Sequence, residues 1–388
     1  MKWKIFENSE DSKNISSLGI ASVGANGITA LFWIYLAQVL GEENYGELGY
    51  FIAIASIAYS IAIWGSDRAI TVYVAKGVNI QPVIYFSTLI SSGIAAVILF
   101  FSFENIGISF FVIGAIIFNI TQAEILGRKH YKRYSKHLIL QKIIFIVLSL
   151  VLVYFLDSTG VLIGFGISGI VFSKQIFNSL KNQKIDFNIL KQKAGFIANS
   201  YGTDLISKTH SSIDKLIIGP IFGFAILGNY YLGMQIFAVM IILPEIVFTF
   251  TLPKDATSEK TKKIKILIVI VSVGIALLGA FVAPVALTYF IPEFGEAPII
   301  ISIISFAIIP YTISSMLHSK FLGEEKSRHF IISFALSIIA LVISIFGLSE
   351  LGVIGFALAF LLSEIVKAGY LLIISGIEKI SEEKQETK

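Results

Sequence analysis

The chain has 388 residues, 55% hydrophobic and only 14% charged, at a mean hydropathy of +0.82; soluble domains carry about 25% charged residues, so a soluble globular protein is excluded. Thirty Lys and Arg against 26 Asp and Glu leave a formal charge of +4, which gives no electrostatic basis for a nucleic-acid partner. With no cysteine there are no disulfides, thiolate nucleophiles or Cys-based metal sites, and no G-x-x-x-x-G-K-[ST] phosphate loop is present.

A helix needs about 20 apolar residues to cross a hydrocarbon core of about 30 Å. That window predicts spans near 17–40, 48–65, 80–103, 108–126, 138–155 and 161–177. It predicts six more near 195–218, 229–251, 266–290, 298–316, 330–347 and 353–375. The expected molecule is therefore an all-α polytopic membrane protein of about 12 transmembrane helices in two six-helix lobes. Its parts are a cytoplasmic N-terminal segment 1–16, an N-lobe 17–177, a cytoplasmic linker 178–194, a C-lobe 195–375 and a cytoplasmic tail 376–388. Residues 1–16 are polar and of mixed charge, so no cleavable signal peptide is expected.

Charge distribution tests the count. With the N-terminus inside, 25 of the 30 Lys and Arg fall in inner segments and none in the six outer loops. The remaining five, Lys142, Lys174, Lys208, Lys215 and Lys367, fall within spans. Positive charge stays on the cytoplasmic side, so both termini are expected there, in a cell (plasma or inner) membrane. The seventh span is the one that hydropathy alone would miss, because it holds Asp204, Lys208, His210, Asp214 and Lys215. Omitting it would reverse the charge bias of the whole second half.

Three landmarks recur at about half the chain length. Asn44-Tyr45-Gly46 follows the first span and Asn229-Tyr230 follows the seventh, the tyrosines 185 apart. Leu126-Gly127 and Leu322-Gly323 close the fourth and tenth spans. Gly160-Val161-Leu162-Ile163-Gly164 and Gly352-Val353-Ile354-Gly355 open the sixth and twelfth, their first glycines 192 apart. Six spans per half is an even number, so the repeat is parallel, with a pseudo-two-fold relation between lobes. Two such lobes around a cavity are an alternating-access architecture.

On the seventh span Asp204, Lys208, Ser211 and Lys215 are spaced i, i+4, i+7 and i+11, which places them on one helical stripe flanked by Asp214 and His210. Asp204 and Lys208 together would cost roughly 5–7 kcal/mol if they faced lipid. They must face a wet cavity or each other, so a cavity-lining stripe for an anionic phosphate ligand and a structural ion pair are both open. Arg68, after the second span, is a headgroup contact or a solvated turn. Glu245 beside Pro244 is a coupling candidate or a paired buried carboxylate. Glu364 and Lys367, at i and i+3, are expected to pair. Lys142, Lys174 and Glu124, near inner span ends, are expected to snorkel. The cluster Arg128, Lys129, Lys132, Arg133 and Lys136 reads as an inner-leaflet anchor for anionic lipid. The five histidines show no ligand spacing, so no metal is expected.

Leu40-Gly41-Glu42-Glu43-Asn44-Tyr45-Gly46, the stretch Asp214-Lys215-Leu216-Ile217-Ile218-Gly219 with Gly228-Asn229-Tyr230, and Leu351-Gly352-x-x-Gly355 together resemble the polysaccharide transporter family. This is the lipid-linked oligosaccharide (O-antigen-type) flippase family of the multidrug/oligosaccharidyl-lipid/polysaccharide exporter superfamily. The resemblance covers roughly residues 17–375 and each motif in it is loose. It implies a MATE-like fold that carries a polyprenyl-(pyro)phosphate-linked glycan from the inner to the outer leaflet, with no cofactor. Implied partners are membrane lipids and glycan polymerase or other assembly enzymes. Cavity cations would hold the pyrophosphate, with Lys208 and Lys215 as the matching residues and Arg68 a weaker one. The first span departs from that pattern, since it holds no charge and only polar Asn26. A cation-coupled multidrug antiporter of the same fold would want carboxylates deep in the first lobe, where none lies deeper than Glu124. A membrane glycan-assembly enzyme would want a large outer domain or outer His and Arg, and the outer loops lack both.

Overall fold

The computed structural model describes residues 9–256, 261–324 and 326–386, with side chains described over 27–252, 254–255, 261–324 and 326–378. The described residues form helices and no strands. The first half comprises α1 (Ser9–Ile63), α2 (Ser66–Ala75), α3 (Gln81–Phe103), α4 (Ile106–Gly127), α5 (Tyr131–Ile170) and α6 (Lys174–Asn182). Next come α7 (Phe187–His210), α8 (Ile213–Phe222), α9 (Phe224–Met240), α10 (Ile242–Ala256) and α11 (Lys262–Phe281). The last are α12 (Ala283–Phe290), α13 (Ala297–Ile304), α14 (Ile308–Gly323), α15 (Ser327–Gly347) and α16 (Val353–Glu386).

Among the described residues eight helical runs are long and apolar enough to cross a membrane, and the pair α9 and α10, bent by 45°, makes a ninth. The run Tyr131–Asn182 has 52 residues, about 78 Å at 1.5 Å per residue, more than twice the thickness it has to cross. It breaks at Asp157, whose φ of 46° and ψ of −132° leave the helical region. Beyond the break Gly160 lies against the Leu152 carbonyl and Gly164 against Ser149, so the chain doubles back into a second pass. The first helix breaks in the same manner at Gly41 (φ 71°, ψ 174°). The expected seventh span, α7 with α8, is not among the apolar runs.

The chain forms two compact units: Met1–Phe32 with Phe51–Lys208, and Trp33–Tyr50 with Thr209–Lys388. In the first unit the backbones of α4 and α5 touch. A Cβ on Gly114 would lie 2.1 Å from the Gly166 carbonyl oxygen, and one on Gly169 would lie 2.1 Å from that of Gly114. Small residues drive such contacts in membranes because apolar side chains gain little by leaving lipid for one another. Helix α4 starts at Asn105, whose side chain accepts a 2.9 Å hydrogen bond from Gly107 N–H and so caps one of the free amides there.

In the second unit the residues after Gly41 cross the start of α9 reciprocally. A Cβ on Gly46 would fall 1.9 Å from the Phe224 carbonyl oxygen, and a Cβ on Gly228 would fall 1.9 Å from that of Glu42. Gly41 precedes its pair of contacts by one and five residues, and Gly223 (φ 111°) precedes its own by the same one and five. The two segments therefore correspond at an offset of 182, not the 185 that matching Tyr45 to Tyr230 suggests. The opening of the last pass repeats too. Gly352 (φ 56°, ψ −134°) has nearly the backbone of Asp157, and three residues later Gly355 lies against the Leu348 carbonyl as Gly160 does against Leu152. Asp157 with Gly352 and Gly160 with Gly355 correspond at 195, the contacted leucines at 196, whereas the glycine spelling gives 192. In both places the repeated feature is a backbone geometry that different residues can supply.

Beneath the crossing, Ile218, Leu227, Tyr230, Phe237, Ile304, Leu341 and Phe356 form the buried core of the second unit. Replacing Gly46 or Gly228 with leucine should lower stability by about 1–3 kcal/mol, because the side chain would enter a backbone contact. Gly274→Ala, where no atom lies within 4 Å, should be neutral or raise stability by up to about 1 kcal/mol. Thermal unfolding of the purified chain in detergent distinguishes the two classes.

Candidate functional site

Helix α7 carries the first group of polar residues, all in the first unit. Gly65, in the left-handed region at φ 74°, opens α2, and a Cβ there would come within 2.6 Å of the Tyr201 amide nitrogen. This close approach brings Arg68 to α7, where its guanidinium donates to Thr203 Oγ1 at 2.9 Å. On the same stretch Ser60 Oγ donates to Asp204 Oδ2 at 2.6 Å. Tyr59 and Asp67 lie within electrostatic reach of Asp204. Asp204 and Lys208 are half-buried and Arg68 is exposed. The structure thus brings Arg68 to α7 beside Asp204, with Lys208 one turn further along the helix and with Ser60 and Thr203 as partners that sequence spacing did not single out.

The expected stripe does not continue past Lys208. Helix α7 ends at His210, and Ser211 and Ser212 form a turn before α8. Two adjacent serines favour such a break, because their hydroxyls compete for backbone hydrogen bonds. Beyond it, in the second unit, Asp214 and Lys215 are buried together. The Lys215 ammonium donates to Asp214 Oδ1 and Oδ2 at 2.9 and 3.1 Å and to the Ser211 carbonyl at 2.8 Å. Tyr230 donates to Asp214 Oδ2 at 2.7 Å. Those three acceptors engage all three hydrogens of the ammonium. Lys215 is thus held as one half of a buried pair, and Tyr230 fixes the other half. The Asn26 side chain lies outside the described residues, as do the residues before Ser9.

Glu245 stands in the first turn of α10, beside Pro244 and just past the bend at Ile241, and is exposed. Its Oε1 accepts from the Tyr311 hydroxyl, and a helix start favours the carboxylate. Deeper in the second unit, Lys367 Nζ donates to Glu364 Oε1 at 2.6 Å, both side chains almost wholly buried. This is the pair that the i, i+3 spacing predicts. His210 Nε2 lies 3.6 Å from the same carboxylate oxygen and 2.9 Å from Ser337 Oγ. The Lys367 ammonium also faces the rings of Tyr311 and Phe334, at 5.3 and 4.9 Å, an attraction that strengthens when the cation is desolvated. His318 pairs with Ser333 at 2.9 Å. Sequence gave no sign of this gathering, because its members come from α7, α14, α15 and α16.

One expectation fails outright. Glu124 does not snorkel but is buried, accepting from Tyr85, Gln175 and, at 2.8 Å, Arg128 Nε. The cost of burying a carboxylate is met by donors on every side.

No family profile matches the chain, and no curated protein matches it in sequence. Solved structures do match. The lipid II flippase MurJ in an inward closed conformation aligns at a TM-score of 0.75 with 14% identity, over 92% of this chain and 87% of MurJ. An inward-facing multidrug resistance MATE family transporter of the MOP superfamily aligns at 0.71 with 15% identity, over 97% of this chain and all of that one. A MOP superfamily transporter from Pyrococcus furiosus aligns at 0.65 with 15% identity, over 94% and 95%. This chain shares their fold. It is an all-α, multi-pass membrane protein of the MATE-like architecture, and at such identities the likeness extends to the fold alone.

The Glu364–Lys367 pair provides a test of how buried charge is tolerated here. Glu364→Gln and Lys367→Met, each alone, should destabilise by about 3–5 kcal/mol by stranding a buried charge. The double variant should lose much less than the sum, as read from unfolding midpoints in a double-mutant cycle.

Proposed function

We propose that this protein is a membrane flippase, not an enzyme, that moves a polyprenyl-(pyro)phosphate-linked oligosaccharide or polysaccharide precursor from the inner to the outer leaflet by alternating access. The reading takes the chain as twelve spans in a cell membrane with both termini cytoplasmic, the orientation that the charge distribution favours. The observation that carries it is the polar group on α2 and α7. Asp204 and Lys208 remain half-buried and Arg68 exposed, whereas the charges of Asp214, Lys215, Glu364 and Lys367 are closed off in buried pairs. Arg68 and Lys208 supply charge-assisted donors for a phosphate, with Asp204 and the neighbouring Asp67 offsetting the cations when no headgroup is present. Glu245 is the residue for coupling, since it is an exposed carboxylate that accepts from the Tyr311 hydroxyl.

The cation-coupled multidrug antiporter is the alternative that the MATE likeness supports. A proton or cation site would then be sought at Glu245 and not in the first unit. Cells lacking the protein should accumulate complete lipid-linked glycan on the inner leaflet, and the intact chain should clear it. Arg68→Ala and Lys208→Ala together should reduce export by at least tenfold at unchanged membrane abundance. Lys215→Ala should instead lower abundance, because it strands Asp214. Normal glycan export with altered sensitivity to cationic compounds would replace this reading with the antiporter.

A further inference from the structure

The cationic run after α4 does not lie flat on one surface. Two of its members, Arg128 and Arg133, line a half-open cavity of about 580 Å³ between α4, α5 and α6 within the first unit, inside the range of small-ligand pockets. Arg128, Arg133 and Lys174 line it, and Lys129, Lys132 and Lys136 do not. Two of the cations are held in place. Glu124 pins Arg128 through the 2.8 Å bond at Nε and also accepts from Gln175, whose Oε1 in turn accepts from Arg133 at 2.9 Å. Glu124 is itself anchored from below by the Tyr85 hydroxyl. The single carboxylate of the cavity is thus occupied by donors on both oxygens, and the positive charge of Arg133 and Lys174 is left over.

Two buried polar atoms in the same wall have no partner. Thr121, 1% exposed, leaves its hydroxyl unmatched, and so does His137 at Nδ1, its ring held against Phe172 at 4.8 Å. Buried polar atoms are nearly always hydrogen-bonded, so an orphaned hydroxyl and an orphaned ring nitrogen beside two uncompensated cations mark a place built for a multivalent acceptor. We infer that this cavity binds a phosphate group. A phosphate supplies several acceptor oxygens on one anion, enough for the Arg133 fork, the Lys174 ammonium and the Thr121 hydroxyl together. The group could be carried by a membrane lipid or be free in solution. Val171, in the cavity wall, is 54% exposed and offers an acyl chain an apolar exit. The site is separate from the α2–α7 polar group, and it does not depend on what the protein carries.

The test uses the full chain in neutral detergent. Thermal unfolding is followed against added inorganic phosphate, and against phosphatidylglycerol with zwitterionic phosphatidylcholine, whose phosphate is offset by its own ammonium, as the comparison of no net charge; bound lipid is counted by native mass spectrometry. The variants are Arg133→Gln and Lys174→Gln, both exposed and outside the core, with Lys132→Gln as a control outside the cavity. Apparent affinity should fall about tenfold for each lining cation removed and stay unchanged in Lys132→Gln. Stabilisation by phosphatidylglycerol alone assigns the site to a lipid headgroup, and stabilisation by inorganic phosphate, with or without the lipid, assigns it to the phosphate group as such. No stabilisation by either, or equal stabilisation of the wild type and both lining variants, overturns the inference. Loss of glycan export would leave these readouts untouched, so this proposal and the flippase reading fail separately.

Discussion

In hydrocarbon no water is available to complete a hydrogen bond, and each unmatched polar group costs several kcal/mol. The charged residues of this chain are arranged around that constraint. Glu124 is surrounded by a tyrosine, a glutamine and an arginine; Asp214 by a lysine and a tyrosine; Glu364 by a lysine, with a histidine nearby. Each is a carboxylate with a cation three or four residues away or adjacent in sequence; Glu124 and Asp214 also accept from a hydroxyl or amide of another helix, whereas Glu364 has only the His210 ring near it and leaves Oε2 unmatched. The local partner balances the charge, and the distant partner ties helices together. Packing then adds the glycine contacts, where backbones approach more closely than any side chain allows.

Against that background the α2–α7 group stands apart. Asp204 accepts from a serine and Arg68 donates to a threonine within their unit. A carboxylate that accepts from a serine and a guanidinium that donates to a threonine can be regrouped around an incoming anion at smaller cost than a tight buried pair.

Much of this was legible in the sequence. The apolar runs, the half-chain repeat and the Glu364–Lys367 pair follow from hydropathy and from spacing along a single helix. What escaped depended on contacts between distant segments or on backbone breaks. The stripe on the seventh span assumed a continuous helix, and the break at Ser211–Ser212 parts Lys215 from Lys208. Glu124 looked like a span-end residue because Tyr85 and Gln175, 39 and 51 residues away, cannot be read from its neighbourhood. The repeat was found, but two of its three landmarks were registered three residues away from the repeated backbone geometry, since letters were matched where the molecule repeats turns: Asp157 does the work of Gly352.

The reciprocal crossing of Gly46 and Gly228 has a genetic consequence. Two contacts related by a local two-fold, of the sort that links identical subunits, are satisfied or lost together. A methyl group added at either glycine must part the same two helices, and no change at the other glycine can restore the gap, because hydrogen is already the smallest side chain. Ordinary core positions drift in compensating pairs, one residue growing as its neighbour shrinks. These two positions have no such route, so in any lineage descending from this chain they should be kept together or abandoned together.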